Sequence, residues 1–366
     1  MIIGLPTEIK AGELRVALTP DDALALSSQQ HTVRVQTGAG LGAGFSDADY
    51  IRANAALVPT AAHAYDADLV VKVKEIQAGE WQHLRRGGML FSFLHLGADH
   101  LMARALLDRR ITGIAFETVA DRHGKCPILA PMSEIAGELA IPIAANLLMK
   151  THGGKGVMMR GARVLVVGAG VAGRAAAHAA ANAGAEVSVV VRNRATTADF
   201  VGSMAHTIQL IEGDAAKVAQ LARAADVVIG AVNIPGQATP KLLMRDDIKA
   251  MQPGGVLIEI CIDGGGISET SRPTHHAAPT YIDEGITHYC VANMPAAVPR
   301  SASIKLSSAI LPYVTALVNN GLLKAMRDHD GFSHGLQMHD GRITHAGVAT
   351  ELNLPCVDLD AVLFSC

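Results

Sequence analysis

The sequence predicts an α/β chain built on two doubly wound parallel sheets, and three observations carry that prediction. Short apolar runs alternate with helical stretches in two successive series. Gly168, Gly170 and Gly173 stand in G-x-G-x-x-G spacing, after one such run and at the head of an Ala-rich segment. Two long, mostly apolar stretches, 131–150 and 304–327, follow the first and second series. Strands separated by helices imply parallel pairing, with crossovers covering both faces.

The first series reads Ile2–Leu5, Val33–Gln36, Leu69–Val73, Met89–Phe93 and Gly113–Phe116, with helices at Pro20–Ser28 and His100–Arg110. Each run is short and apolar, and the helical stretches return their apolar residues every three or four positions. The second series reads Arg163–Val167, Val187–Val191, Val227–Val232, Val256–Ile262 and His288–Ala292. The helix over 131–150 joins the two domains, and the helix over 304–327 returns the chain to the first. The expected division is 1–128 for the first part of a substrate domain, 129–303 for a Rossmann-like dinucleotide-binding domain, and 304–366 for the return. The first domain is then discontinuous, with an interdomain cleft where ligands of open α/β sheets bind.

Composition narrows the function classes. A chain of 366 residues is long enough for about two domains. Its net charge of −3 leaves no basic surplus for a phosphate backbone, so no nucleic-acid partner is expected. The N-terminal Met1-Ile2-Ile3-Gly4 reads as a strand and not a signal peptide. No uncharged apolar run approaches the roughly 18 residues of a membrane span, so no membrane partner is expected either. Cys126, Cys261, Cys290, Cys356 and Cys366 are scattered and odd in number, which points to reduced thiols and a cytoplasmic location.

The glycine pattern has a mechanism. The glycines allow a tight turn and close approach of backbone, and the helix N-terminus faces a pyrophosphate. An NAD site then expects a carboxylate about 20 residues on, for the ribose hydroxyls. Here the next strand ends in Val191-Arg192-Asn193-Arg194. Polar residues also gather at strand ends: Lys72, Lys74, His95, Asp263 and Asn293. Singly, each reads as a solvated loop residue or a hydrogen-bonded packing residue. Jointly, beside a dinucleotide site, they read as chemistry. His329, His334, His339 and His345, with His275, His276 and His288, fit no ligand template and read as solvated loops, so no metal is expected. Cys261 reads as a small core residue.

Several motifs carry a resemblance: Gly4-Leu5-Pro6-Thr7-Glu8, Arg15-Val16-Ala17-Leu18-Thr19-Pro20, Val71-Lys72-Val73-Lys74-Glu75, Leu94-His95-Leu96, Leu129-Ala130-Pro131-Met132-Ser133-Glu134 and His288-Tyr289-Cys290-Val291-Ala292-Asn293-Met294-Pro295. In these the chain resembles the alanine dehydrogenases and their relatives, the NAD-binding portions of proton-pumping transhydrogenases, from Met1 to the C-terminal Leu-Asp-Ala-Val-Leu. The resemblance implies reversible oxidative deamination of L-alanine, or a similar small L-amino acid, to a 2-oxo acid and ammonia, with NAD or NADP. It implies that Arg15 grips the substrate carboxylate, as a planar guanidinium does well. Lys74 would lie beside the carboxylate and carbonyl oxygen, with Met132 and Asn293 lining the substrate pocket. His95 would be the acid–base group, and Asp263 would steer water or ammonia. Ser133, Gly168, Gly170, Val171, Ala172, Gly173, Val191, Arg192, Val232, Asn293 and Met294 match cofactor-binding positions. Family members are commonly hexamers, so a homo-oligomer is expected.

Three departures qualify the resemblance. Val191 and Arg192 stand where the family has an acid, and an arginine there attracts a 2′-phosphate, which leans the expectation to NADP. Gly264 replaces a glutamine after Asp263, and Asn233 an apolar residue, which suggests a roomier pocket. The connection before Arg163 is about six residues shorter than the family's, far from the expected chemistry. Two other readings stay open: a family member acting on a larger amino acid or a secondary amine, and a non-catalytic dinucleotide-binding protein of the transhydrogenase type.

Overall fold

A computed structural model describes residues 1–195, 197, 208–234 and 238–364, with backbone only at 363 and 364. Its strands are β1 (Ile2–Leu5), β2 (Thr32–Gln36), β3 (Ala56–Val58), β4 (Leu69–Val71), β5 (Met89–Ser92), β6 (Thr112–Ala115), β7 (Arg163–Val167) and β8 (Glu186–Val191). They continue as β9 (Ile208–Glu212), β10 (Val227–Gly230), β11 (Val256–Glu259), β12 (Thr280–Asp283), β13 (Ile286–Tyr289), β14 (Leu336–His339) and β15 (Arg342–Ile343). The chain divides into two compact units, one of residues 1–132 and 298–366, the other of residues 133–297.

The first unit holds one sheet in the order β15-β14-β6-β5-β4-β1-β2-β3. From β6 to β3 every pairing is parallel. The central strands are buried on both faces, as Leu69, Val70, Val71, Leu90 and Phe91 show, which is why they read as continuous apolar runs. The second unit holds the order β12-β13-β11-β10-β7-β8-β9, again parallel from β13 to β9. Both units are thus Rossmann-like α/β sheets.

Each sheet ends in an antiparallel hairpin that the apolar-run reading misses. β12 and β13 are joined by Glu284 (φ 48°) and Gly285 (φ 78°), and β14 and β15 by Asp340 (φ 47°) and Gly341 (φ 76°). Two positive φ values in a two-residue loop define the turn whose twist matches paired strands. The Asp-Gly dipeptide was a readable hairpin signal, but its strands are too short to show alternation. Several runs also overshoot: β4 stops at Val71, β10 at Gly230 and β11 at Glu259, and the residues beyond them form the site loops.

The expected helix over 304–327 begins earlier, at Pro299, and breaks at Gly321 (φ 75°) before a second helix at Leu322–Asp328. By length and composition Pro299–Asn320 could cross a membrane. Here Leu306, Ile310, Val314 and Leu317 form a fully buried stripe. Ser303 Oγ accepts the Val16 N–H and Ser307 Oγ the Thr19 N–H. It is a core helix of the first unit. The other long helix, Ala130–Leu147, carries Pro142 on an exposed position.

Candidate functional site

In the first unit Lys74 and His95 sit just past the carboxyl ends of the neighbouring strands β4 and β5. Arg15 is 2 % exposed. Its Nε donates to Glu13 Oε1 at 2.7 Å, its Nη2 to Glu13 Oε2, and its Nη1 to Met132 Sδ at 3.2 Å. Lys74, two residues past Lys72, holds its ammonium 5.9 Å from the Phe93 ring centre. The same ring stacks on His95 at 6.2 Å and 11°. Burial, and then the Arg15 charge, push the Lys74 ammonium below its ordinary value. Lys74 and His95 thus share the Phe93 ring, and Arg15, in contact with Met132, acts on Lys74 through its charge.

His95 adopts φ 44° and ψ 41°. A left-handed conformation in a residue with a side chain costs about 1–3 kcal/mol and persists only where its surroundings enforce it. The His95 N–H donates to Glu117 Oε1 at 2.8 Å. Lys72 corrects the strand-end reading. It is fully buried, with Nζ 3.0 Å from Glu80 Oε2 and 3.6 Å from Glu8 Oε2, and Tyr65 donates to the other Glu80 oxygen at 2.8 Å. Its charge is matched inside the unit by Glu8 and Glu80.

In the second unit the glycines do three different jobs. Gly168 has φ 101°, and a Cβ there would lie 2.6 Å from the Ala231 carbonyl oxygen. A Cβ on Gly173 would lie 2.0 Å from the Gly168 oxygen, so it is the site of close packing. A Cβ on Gly170 would meet nothing within 4 Å. Gly170 caps the helix Val171–Asn182 with no side-chain acceptor among the described residues. The residues fit a dinucleotide pyrophosphate. Val232 borders the loop, 3.3 Å from the Gly168 Cβ position. Ser133 lies one turn before Gly137, on the same helix face, and a Cβ on Gly137 would lie 2.2 Å from the Ala172 oxygen.

Val191 closes β8 and is 6 % exposed. Arg192 and Arg194 are exposed, and the Arg194 N–H donates to Glu212 Oε2 at 3.1 Å. Asn293 is left-handed at φ 66°, with its carbonyl oxygen 3.1 Å from His276 Nε2. The Met294 side chain is 2 % exposed inside the apolar core, so the position offers a ligand its backbone and not its thioether.

Asp263 is exposed on a short 3-10 turn, Ile262–Gly264. The position after it is crowded at its root: a Cβ on Gly264 would lie 2.5 Å from Thr239 Oγ1. Gly265 (φ 100°) and Gly266 (φ 73°) are required by the backbone, and a Cβ on Gly266 would lie 2.7 Å from Glu259 Oε1. Cys261 is inert as a nucleophile: burial above all pushes its thiol up to about 12. Of the histidines read as solvated loops, His275, His276 and His334 are exposed, while three others are tied in. His288 is fully buried and bonded to Thr270 Oγ1 at 2.7 Å, His339 to Thr112 Oγ1 at 2.9 Å, and His345 Nδ1 accepts the Val348 N–H at 3.3 Å as a helix cap.

The acids Glu8, Glu13, Glu80 and Glu117 escape sequence reasoning. Only the two-residue spacing of Glu13 and Arg15 hinted at one of them.

Residues 4–136 match the alanine dehydrogenase/PNT N-terminal domain family and residues 140–346 its C-terminal domain. The alanine dehydrogenases of Halomonas elongata and Mycobacterium tuberculosis are each 44% identical over 374 residues, covering 99% of this chain and all of theirs. The fold overlays a solved L-alanine dehydrogenase with TM-score 0.93 at 37% identity, over 96% of this chain and 99% of that one. It overlays a transhydrogenase from Sinorhizobium meliloti with TM-score 0.82 at 25% identity, over 94% and 99%. With the cation-and-imidazole cluster in one unit and the glycine loop in the other, these matches place the chain in the alanine dehydrogenase/PNT family.

Proposed function

We propose that this protein catalyses reversible, nicotinamide-dependent oxidative deamination of L-alanine, or a similar small L-amino acid, to the 2-oxo acid and ammonia. The observation that carries the proposal is the pairing of Lys74 and His95 on the Phe93 ring, with the Arg15 charge acting on Lys74. Arg15 and Lys74 supply positive charge for a carboxylate and its neighbouring oxygen, with Met132 as a wall. Lys74 is held below its ordinary pKa, so its ammonium gives a proton more readily to a carbonyl oxygen gaining negative charge. His95, exposed beside it, exchanges a proton with the substrate, and Asp263 orients ammonia or water. A bound nicotinamide supplies the hydride exchange with the substrate α-carbon. Ser133, Val171, Ala172, Val232, Asn293 and Met294 would hold the cofactor together with the glycine loop.

For the cofactor itself we favour NADP. Val191 offers no acceptor to the ribose hydroxyls, and Arg192 and Arg194 stand exposed at the same strand end. One observation favours NAD instead: Glu212, paired with Val191 across β8 and β9, brings a carboxylate one strand away.

The test follows nicotinamide absorbance with pyruvate, bulkier 2-oxo acids and ammonia. His95→Ala and Asp263→Asn should each lower turnover by about 10²-fold or more, the usual effect of removing a positioned acid–base group, while cofactor binding stays unchanged. Near-normal turnover in both would remove His95 and Asp263 from the chemistry, and no turnover by the wild type with any of these 2-oxo acids would leave a dinucleotide-binding protein.

A further inference from the structure

We propose that Glu8 and Glu117 are positioning residues, each a carboxylate clamp that fixes one of the two substrate-facing groups, Lys74 and His95, through its backbone. The proposal rests on the roles given to Lys74 and His95 above.

Four neighbouring parallel strands set the geometry, in the order β6-β5-β4-β1. The two inner strands lead into Lys74 and His95. The two outer strands lead into the clamps: Glu8 lies three residues past the end of β1, and Glu117 two residues past the end of β6. Each carboxylate reaches across to its inner neighbour and accepts two consecutive backbone N–H groups. Glu8 Oε1 accepts from Val73 at 2.5 Å and Oε2 from Lys74 at 3.3 Å. Glu117 Oε2 accepts from Leu94 at 3.2 Å and Oε1 from His95 at 2.8 Å.

Two consecutive N–H groups do not face one acceptor in an extended strand, where successive residues alternate in direction. Both face it only where the chain bends, and at His95 that bend is the left-handed conformation. A carboxylate with its two oxygens is the side chain that takes both donors at once, and its charge strengthens each bond. Glu8 has a further neighbour in the buried Lys72 ammonium. Glu8 is buried under the strand ends, and the bonds of both carboxylates run to backbone. They therefore act on the reaction through Lys74 and His95.

The consequence is kinetic. A misplacement of about 1 Å in a reacting group costs up to about 10²-fold in rate. Replacing Glu by Gln keeps the shape but sets an amide NH2 against one of the two N–H donors. In the full-length protein, Glu117→Gln should lower kcat for pyruvate by about tenfold or more, with KM held within about twofold. Glu8→Gln should raise the KM for pyruvate by a similar factor, since Lys74 holds the ground state. On His95→Ala and Lys74→Ala backgrounds respectively, the same changes should cost nothing further. Peptide-resolved hydrogen exchange should quicken at residues 94–95 or 73–74 alone.

Losses that multiply in the double variants, or exchange unchanged at the clamped residues, would overturn the proposal. So would a lowered melting temperature with wild-type kinetics, which marks a purely structural cap. If exchange quickens as expected while His95→Ala and Lys74→Ala both keep wild-type kinetics, the roles proposed for His95 and Lys74 have failed, and the clamps with them as devices of catalysis. Should Glu8→Gln fail to fold, because Lys72 loses a partner, the Glu117 arm decides alone.

Discussion

At Val191 a buried isopropyl group ends the strand that approaches the adenosine ribose in Rossmann-like units, and Arg192 follows it into solvent. An acid there accepts hydrogen bonds from both ribose hydroxyls; valine accepts none. A 2′-phosphate adds charge, and one arginine contact to it contributes about 1.5–3 kcal/mol. Since about 1.4 kcal/mol is tenfold in affinity, a single contact suffices to reverse the preference. Val191→Asp with Arg192→Ile should therefore shift catalytic efficiency toward NAD by about tenfold or more. The comparison is kcat/KM with both cofactors, wild type against double variant. A wild type that already uses NAD tenfold better than NADP ends the claim and gives the ribose to Glu212.

At the scale of elements, the carboxyl end of β11 carries a buried acid with unequal oxygens. Glu259 Oε1 accepts the Ser268 N–H at 3.1 Å and the Ser271 hydroxyl at 2.5 Å. Oε2 has no partner among the described residues. Burial, as the largest cause, holds this carboxyl above its ordinary 4.5. A raised folded-state pKa means the folded protein binds the proton more tightly than the unfolded chain. The stabilisation is then present below 4.5 and lost as pH rises through the folded value. Glu259→Gln keeps one acceptor and removes the charge, so its melting temperature should equal wild type in acid and exceed it in mildly alkaline buffer. A gap that does not change with pH, or a variant less stable throughout, would mean the carboxylate is satisfied as an anion. Strands such as β11 were legible because both faces are buried. Their ends were not: β11 was read through to Ile262, and only the packing of Glu259 between Gly230 and Gly266 stops it at Glu259.

For the whole molecule, a ligand that binds the folded chain alone stabilises it by about 2.7 kcal/mol at a hundredfold excess over Kd. Equal concentrations of NADPH and NADH should then raise the melting temperature unequally, with NADPH giving the larger rise. A larger rise with NADH contradicts the preference without any appeal to turnover.

The two-sheet α/β class, the glycine loop and the strand-end residues Lys74, His95 and Asp263 followed from sequence alone, because they rest on local periodicity and short spacings. Apolar runs mark strands buried on both faces, and the glycine pattern marks a turn that its own neighbours demand. What the tertiary structure decided is of another kind. Lys72 and Lys74 are two residues apart and chemically alike, yet one is locked among buried carboxylates and the other lies beside the Phe93 ring. Gly264 reads in the sequence as a missing side chain, and only the fold brings Thr239, 25 residues earlier, to 2.5 Å from where its Cβ would be. Glu8 and Glu117 bind backbone N–H groups 65 and 22 residues away. Which side chain meets which backbone donor is set by strand order, β6-β5-β4-β1, and strand order comes from how whole elements pack, with no trace in local spacing.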